Sequence, residues 1–282
     1  MKKDIINKYL NCMFGVFSII AFFLVTISER FFLLKWWQLI LLFFVAFVVN
    51  ILKAFRLSFL LIGETTLRWE QQMILYSRTV PVAILIPYKL GEFYRLYYYS
   101  YATKSYKRGI TLIMIERFYD AVALSTILFS MRTILLIDMP FIIYILIGFV
   151  LCVLIIYLNL PNICVYWKKY LLCMKANRKN CLLLECISKI ENYYVKLSKV
   201  LKGKGLILFI LSFAAWVIEL LCMSELSNVF LKYNDQFSVG NYVMSALGVG
   251  RSQAMYLYIW STVGILVTAN IVLSILGRRN RN

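Results

Sequence analysis

The stretch FIIYILIGFVLCVLIIYLNL, residues 141–160, contains no charged side chain at all. A helix of that length rises about 30 Å, the thickness of a bilayer's hydrocarbon core. Comparable apolar runs occupy residues 9–27, 34–52, 110–137, 206–231 and 254–276. Two further apolar stretches, 73–87 and 239–250, are too short or too interrupted to make ordinary spans. The fold class expected is all-α: a polytopic transmembrane helical bundle of about six full spans plus two short re-entrant or broken helices.

Composition points the same way. Of 282 residues, 62% are hydrophobic and 16% charged, with a mean hydropathy of +0.78. Soluble domains are closer to half apolar and a quarter charged. The whole chain, 1–282, is expected to form a single integral membrane domain with no soluble domain. After residue 27 the chain reads Ser28-Glu29-Arg30, with no small-residue cleavage signal, so the first run is expected to stay as an uncleaved span.

Thirty-one Lys and Arg face 13 Asp and Glu, a formal charge of +18. The basic residues gather between apolar runs: Lys2, Lys3 and Lys8, then Lys53 and Arg56, the 161–204 stretch, and Arg278, Arg279 and Arg281. Anionic headgroups and the positive-inside rule account for that placement better than nucleic acid does. It predicts a multi-pass cell-membrane protein with both termini and a basic 161–204 loop in the cytoplasm. That loop is expected to meet anionic lipid or a cytoplasmic partner.

Seven cysteines show no Cys-x-x-Cys pair, which predicts free thiols. Histidine is missing from the sequence, which excludes His-based acid–base catalysis and His metal ligation. No D-x-D or paired-aspartate metal motif and no P-loop occurs either, so neither a metal nor another cofactor is expected.

Charges inside apolar runs carry the functional information. Glu116, Arg117 and Asp120 fall within the 110–137 run, Asp120 about 15 Å along a helix starting at Ile110. At the centre of an isolated spanning helix such a charge costs about 2.5–3.5 kcal/mol, whereas an apolar residue returns about 0.3–0.6. The trio is therefore expected to face the protein interior or a wet chamber, as a headgroup site or as an ion-pair network locking helices. A second constellation is Pro87-x-x-x-Gly91-Glu92-x-x-Arg95: a helix breaker, a residue permitting close approach, and an i,i+3 ion pair. Gly91, Glu92 and Arg95 fall within the tyrosine-rich basic stretch 88–108, expected as an interfacial helix. Trp216 and Glu219 sit in the 206–231 run, and the short 239–250 stretch ends at Arg251. The segments 80–95 and 239–251 each combine apolar residues, a glycine and an arginine, a pattern that in transporters marks a midplane site between two halves.

Pro87, Gly91, Glu92, Arg95, Glu116, Arg117 and Asp120 together resemble the signature region of the lysylphosphatidylglycerol synthase transmembrane family, the flippase-like domain. Trp216-x-x-Glu219 is similar to that family's second half. Tyr88 and Lys89 depart from the small residues usual after the proline, and the 245–250 turn lacks the family's proline and acidic residue. The resemblance implies a domain that binds or translocates a lipid with a polar headgroup: an anionic or aminoacylated phospholipid, or a lipid-linked glycan. It implies Arg95 and Arg117 at the phosphate, Glu92, Glu116 and Asp120 orienting them, and Glu219 on the opposite wall. Intrinsic catalysis is not expected. The alternatives are phosphatidylglycerol lysyltransferase-type lipid modification with a separate synthase chain, and a membrane scaffold for an envelope-biosynthesis complex that includes a glycosyltransferase.

Overall fold

The computed structural model describes residues 35–85, 91–135, 141–174, 177–226, 239–246 and 253–279. Among them the secondary structure is entirely helical. The helices are α1 (Trp36–Leu61), α2 (Trp69–Leu85), α3 (Gly91–Ala102), α4 (Tyr106–Leu135), α5 (Phe141–Cys173), α6 (Arg178–Leu201), α7 (Gly205–Glu225), α8 (Val239–Ala246) and α9 (Gln253–Arg279). Among the described residues, four stretches are long and apolar enough to cross a membrane: Trp36–Leu61, Ile143–Cys173, Gly205–Glu225 and Met255–Leu273. The 9–27 run lies outside the described residues. The 110–137 run forms most of α4, which is not one of those four.

Two compact units divide the chain. The first comprises Met1–Glu116 and Ile210–Asn282, the second Arg117–Phe209. In the first, α9 packs against α1 and α2, α3 packs on α2, and α8 packs on α9. In the second, α5 and α6 form an antiparallel hairpin.

Helix α1 shows what kind of solvent this chain expects. Its buried residues recur at helical spacing through Gln38, Leu42, Ala46, Val49, Asn50, Ala54, Arg56 and Leu57. Its exposed face carries Ile40, Phe44, Phe47, Ile51 and Phe55. In a soluble helix the polar residues face outward and the apolar ones inward. Here the large apolar rings are outside while amide and guanidinium groups are inside, an order that suits hydrocarbon surroundings. Moving each such ring from water to hydrocarbon contributes roughly 1.5–3 kcal/mol.

Several sequence expectations change at the helix ends. Residues 34–52 were expected to span with Lys53 and Arg56 just beyond the end, yet α1 continues to Leu61 and both cations lie within it. Helix α2 is not broken at Pro81; it begins in the polar stretch at Trp69 and runs through the proline to Leu85. Buried hydroxyls there turn back on the helix, Thr79 donating to the Leu75 carbonyl at 2.8 Å, and neighbouring helices make such prolines tolerable. The 88–108 segment is not one interfacial helix. A left-handed Lys104 (φ 52°) separates α3 from α4, with the Thr103 N–H donating to the Tyr99 carbonyl at 3.0 Å. The 161–204 segment is not a loop: α5 passes through Pro161 to Cys173, and α6 returns alongside it.

Candidate functional site

The site begins with the inward stripe of α1. Asn50, Lys53 and Arg56 recur at intervals of three, so one helical face presents them in succession. Each finds a partner from another helix of the first unit. Tyr76 of α2 donates to Asn50 Oδ1 at 3.2 Å. Lys53 Nζ lies 3.3 Å from Glu219 Oε2 on α7. Arg56 Nη1 donates to Ser212 Oγ on α7 at 2.6 Å. Going from Lys53 to Arg56 on α1 means going back from Glu219 to Ser212 on α7, so the two helices run in opposite directions.

A second cation reaches the same place from α3. Arg95 Nη2 forms an ion pair with Glu116 Oε2 on α4, and Arg56 Nη2 stands 4.0 Å from Glu116 Oε1. Two guanidinium groups thus converge on one carboxylate. Arg95 Nη1 also pairs with Glu92 Oε2 at 3.3 Å, and Nη2 donates to the Tyr99 hydroxyl at 2.8 Å. The Glu116, Arg56 and Arg95 side chains are only 1%, 5% and 6% exposed, while Glu92 at the rim is 22% exposed. Burial alone would favour a neutral Arg95, but Glu116, Tyr99 and Glu92 outweigh it and hold its pKa above the ordinary value. Arg95 stays a cation.

Gly91 makes that approach possible. A Cβ there would stand 2.4 Å from Ala83 Cα and 2.6 Å from the Val82 carbonyl oxygen, both backbone atoms of α2. Only glycine lets the start of α3 lie that close, and Arg95 follows one turn later.

One turn along the same α1–α7 contact, beside Lys53, Glu219 is 2% exposed. It accepts a hydrogen bond from Tyr242 of α8 at 2.8 Å as well as the Lys53 ion pair. The Lys53 ammonium also stands 5.7 Å from the Trp216 ring centroid, within cation–π range. The buried polar atoms that lack a hydrogen-bond partner among the described residues include Arg95 Nε, Glu116 Oε1 and Trp216 Nε1. Such atoms normally bond water or a ligand.

The structure therefore brings Gly91, Glu92, Arg95 and Glu116 together, and places Trp216 and Glu219 beside Lys53. It does not keep the α4 trio in one environment. Glu116 belongs to the first unit, Arg117 and Asp120 to the second. Arg117 is exposed and Asp120 half-buried, each with interactions of its own. Adjacent helical residues point about 100° apart, so Glu116 and Arg117 cannot face the same way. Pro87 and Arg251 lie outside the described residues, as does the 247–250 turn. Sequence reasoning missed Lys53, Arg56, Ser212 and Tyr242. The three-residue spacing of Asn50, Lys53 and Arg56 within a phenylalanine-rich run was the available signal. Among the described residues no group of three or more His, Cys, Asp or Glu comes together to hold a metal.

Apolar outward faces, four stretches of spanning length and buried paired charges define a helical membrane protein with a polar interior. No family model, no curated protein and no solved structure matches the chain.

Proposed function

We propose that this protein binds the polar headgroup of a membrane lipid in its charged interior and carries it between leaflets while the lipid tails remain in the bilayer. The lipid class is an anionic or aminoacylated phospholipid, or a lipid-linked glycan. The observation that carries the proposal is the convergence of Arg56 and Arg95 on the single carboxylate of Glu116. Guanidinium forks suit phosphate as well as carboxylate, since both offer two oxygens at matching spacing. An incoming phosphodiester would exchange with Glu116, whose release leaves the arginines paired throughout. The desolvation of both cations is already met in the folded protein, so the exchange costs less than building the site anew.

The motif resemblance to the lysylphosphatidylglycerol synthase transmembrane family supports the same assignment through Gly91, Glu92, Arg95 and Glu116. Arg56 takes the phosphate-facing role that the motif alone would give to Arg117. Without a P-loop in the sequence, the movement is downhill, ion-coupled or driven by a partner chain.

Reconstitution tests this directly. In vesicles holding a headgroup-labelled anionic phospholipid, the wild-type protein should exchange the label between leaflets faster than empty vesicles do. Arg95→Lys keeps the charge but loses the fork and should slow exchange about tenfold or more, with helix content unchanged. Wild-type exchange no faster than empty vesicles, or equal rates in both proteins, overturns the proposal.

A further inference from the structure

The second unit carries a surface that the headgroup site does not use. Residues 161–204 hold ten Lys and Arg against two Glu, a large part of the chain's net charge of +18. Five of those cations and both glutamates lie on α6, which leaves none of its residues fully buried. One face of α6 meets α5, where Glu191 pairs with Lys168 and the Tyr194 ring lies 5.2 Å from that of Tyr157. Another face stays open. Leu182, Cys186 and Ile190 follow at i, i+4 and i+8, and all three are exposed. Lys189 and Lys196 lie to one side of that strip, about 20–40° round the helix from Leu182. Cys181 is exposed too, on a different face about 140° away from Cys186.

We propose that this strip of α6 docks on the surface of an anionic bilayer, with Leu182, Cys186 and Ile190 among the acyl-chain ends and the flanking lysines at the headgroups. Charge and tethering select this occupant. An apolar strip edged by lysine is the pattern of an interfacial helix, whose affinity combines apolar burial with attraction to anionic lipid. The hairpin's own first arm, over Ile143–Cys173, and the stretch that follows the hairpin, Gly205–Glu225, are each long and apolar enough to cross a membrane, which keeps α6 tethered close to a bilayer. Tyr166, Trp167 and Tyr170 are exposed along the later part of α5, where aromatic rings anchor at headgroup depth.

The two native cysteines supply the test without altering the protein. The full chain is placed in lipid nanodiscs of phosphatidylcholine alone or with added phosphatidylglycerol. It is treated with a water-soluble maleimide, and modification is read residue by residue by mass spectrometry. Added phosphatidylglycerol should slow modification of Cys186 about tenfold and leave Cys181 within about twofold. The double variant Lys189→Gln/Lys196→Gln should lose that protection. Equal reactivity of Cys186 in both lipids overturns the proposal. So does protection of Cys181 and Cys186 together, or protection that is the same in phosphatidylcholine alone, because a protein partner or a second copy would then be covering the helix.

Discussion

The α1–α3–α7 interior and the α5–α6 hairpin are both rich in charge, and they handle it in opposite ways. In the interior, Arg56, Arg95, Glu116 and Glu219 are removed from solvent and each is matched by a charge or a hydrogen bond from another helix or the next turn. In the hairpin, the lysines stay at the surface and the ion pairs are half-exposed or open, as at Lys168–Glu191 and Lys189–Glu185. Charge held by pairing fixes which helices meet and is expensive to disturb. Charge held by hydration leaves the helix free to choose what it lies against. The first arrangement builds a site and the second a surface, so the same substitution should have very different consequences in the two places.

The largest effect is expected at Glu116. Glu116→Ala leaves the Arg56 and Arg95 guanidiniums buried without their shared carboxylate, which should cost about 3–5 kcal/mol. A large fall in the thermal midpoint of the purified protein in detergent would report it. The double variant Arg95→Met/Glu116→Leu removes the ion pair as a unit and should be less destabilised than Glu116→Ala alone, since Arg56 keeps Ser212. If Glu116→Ala unfolds at the wild-type temperature, these charges are not held by pairing and the contrast with the hairpin fails.

Next comes the hydrogen bond from Tyr242 to Glu219. Because the acceptor is a carboxylate, Tyr242→Phe should cost about 1.5–3 kcal/mol. A cycle with Glu219→Gln separates this bond from other contacts of the ring: coupling near zero would show that the two side chains do not act together. Gly91→Ala should fall in a similar range, about 1–3 kcal/mol, because its Cβ meets the α2 backbone and not a yielding side chain. Wild-type stability in Gly91→Ala would mean that α3 can withdraw from α2 freely, leaving Arg95 without a fixed approach to Glu116.

The sequence made the apolar helices legible because hydrocarbon demands long uncharged runs, and 141–160 can hardly be read otherwise. Glu116 and Glu219 were legible for the complementary reason, that a charge in such a run needs shelter, and Glu92 and Arg95 through their spacing after Pro87 and Gly91. Lys53 and Arg56 were misplaced because cations after an apolar run usually mark the membrane boundary. Nothing local reveals that α1 continues to Leu61; Glu219 and Ser212, more than a hundred and fifty residues away, turn these cations inward. Arg117 shows a different limit of sequence reading, since adjacency to Glu116 in sequence means divergence on a helix. The hairpin was hidden by its composition. Lysine density suggested a loop, whereas the four-residue recurrence of Leu182, Cys186 and Ile190 within it already had the period of a helix.

The smallest effect is expected in the hairpin, and it makes the comparison quantitative. Lys168 and Glu191 are 29% and 33% exposed, so water screens their attraction and each can be hydrated alone. Lys168→Ala should therefore cost only about 0.2–1 kcal/mol, although its partner is as directly placed as that of Arg95. Geometry alone would rank the two pairs equal; exposure is what separates them. The same thermal measurement, made on Lys168→Ala and Glu116→Ala side by side, decides between those rankings. A loss in Lys168→Ala as large as in Glu116→Ala would mean that the α5–α6 contact is built like the interior site, and α6 would then be locked to α5 instead of lying free for a membrane surface.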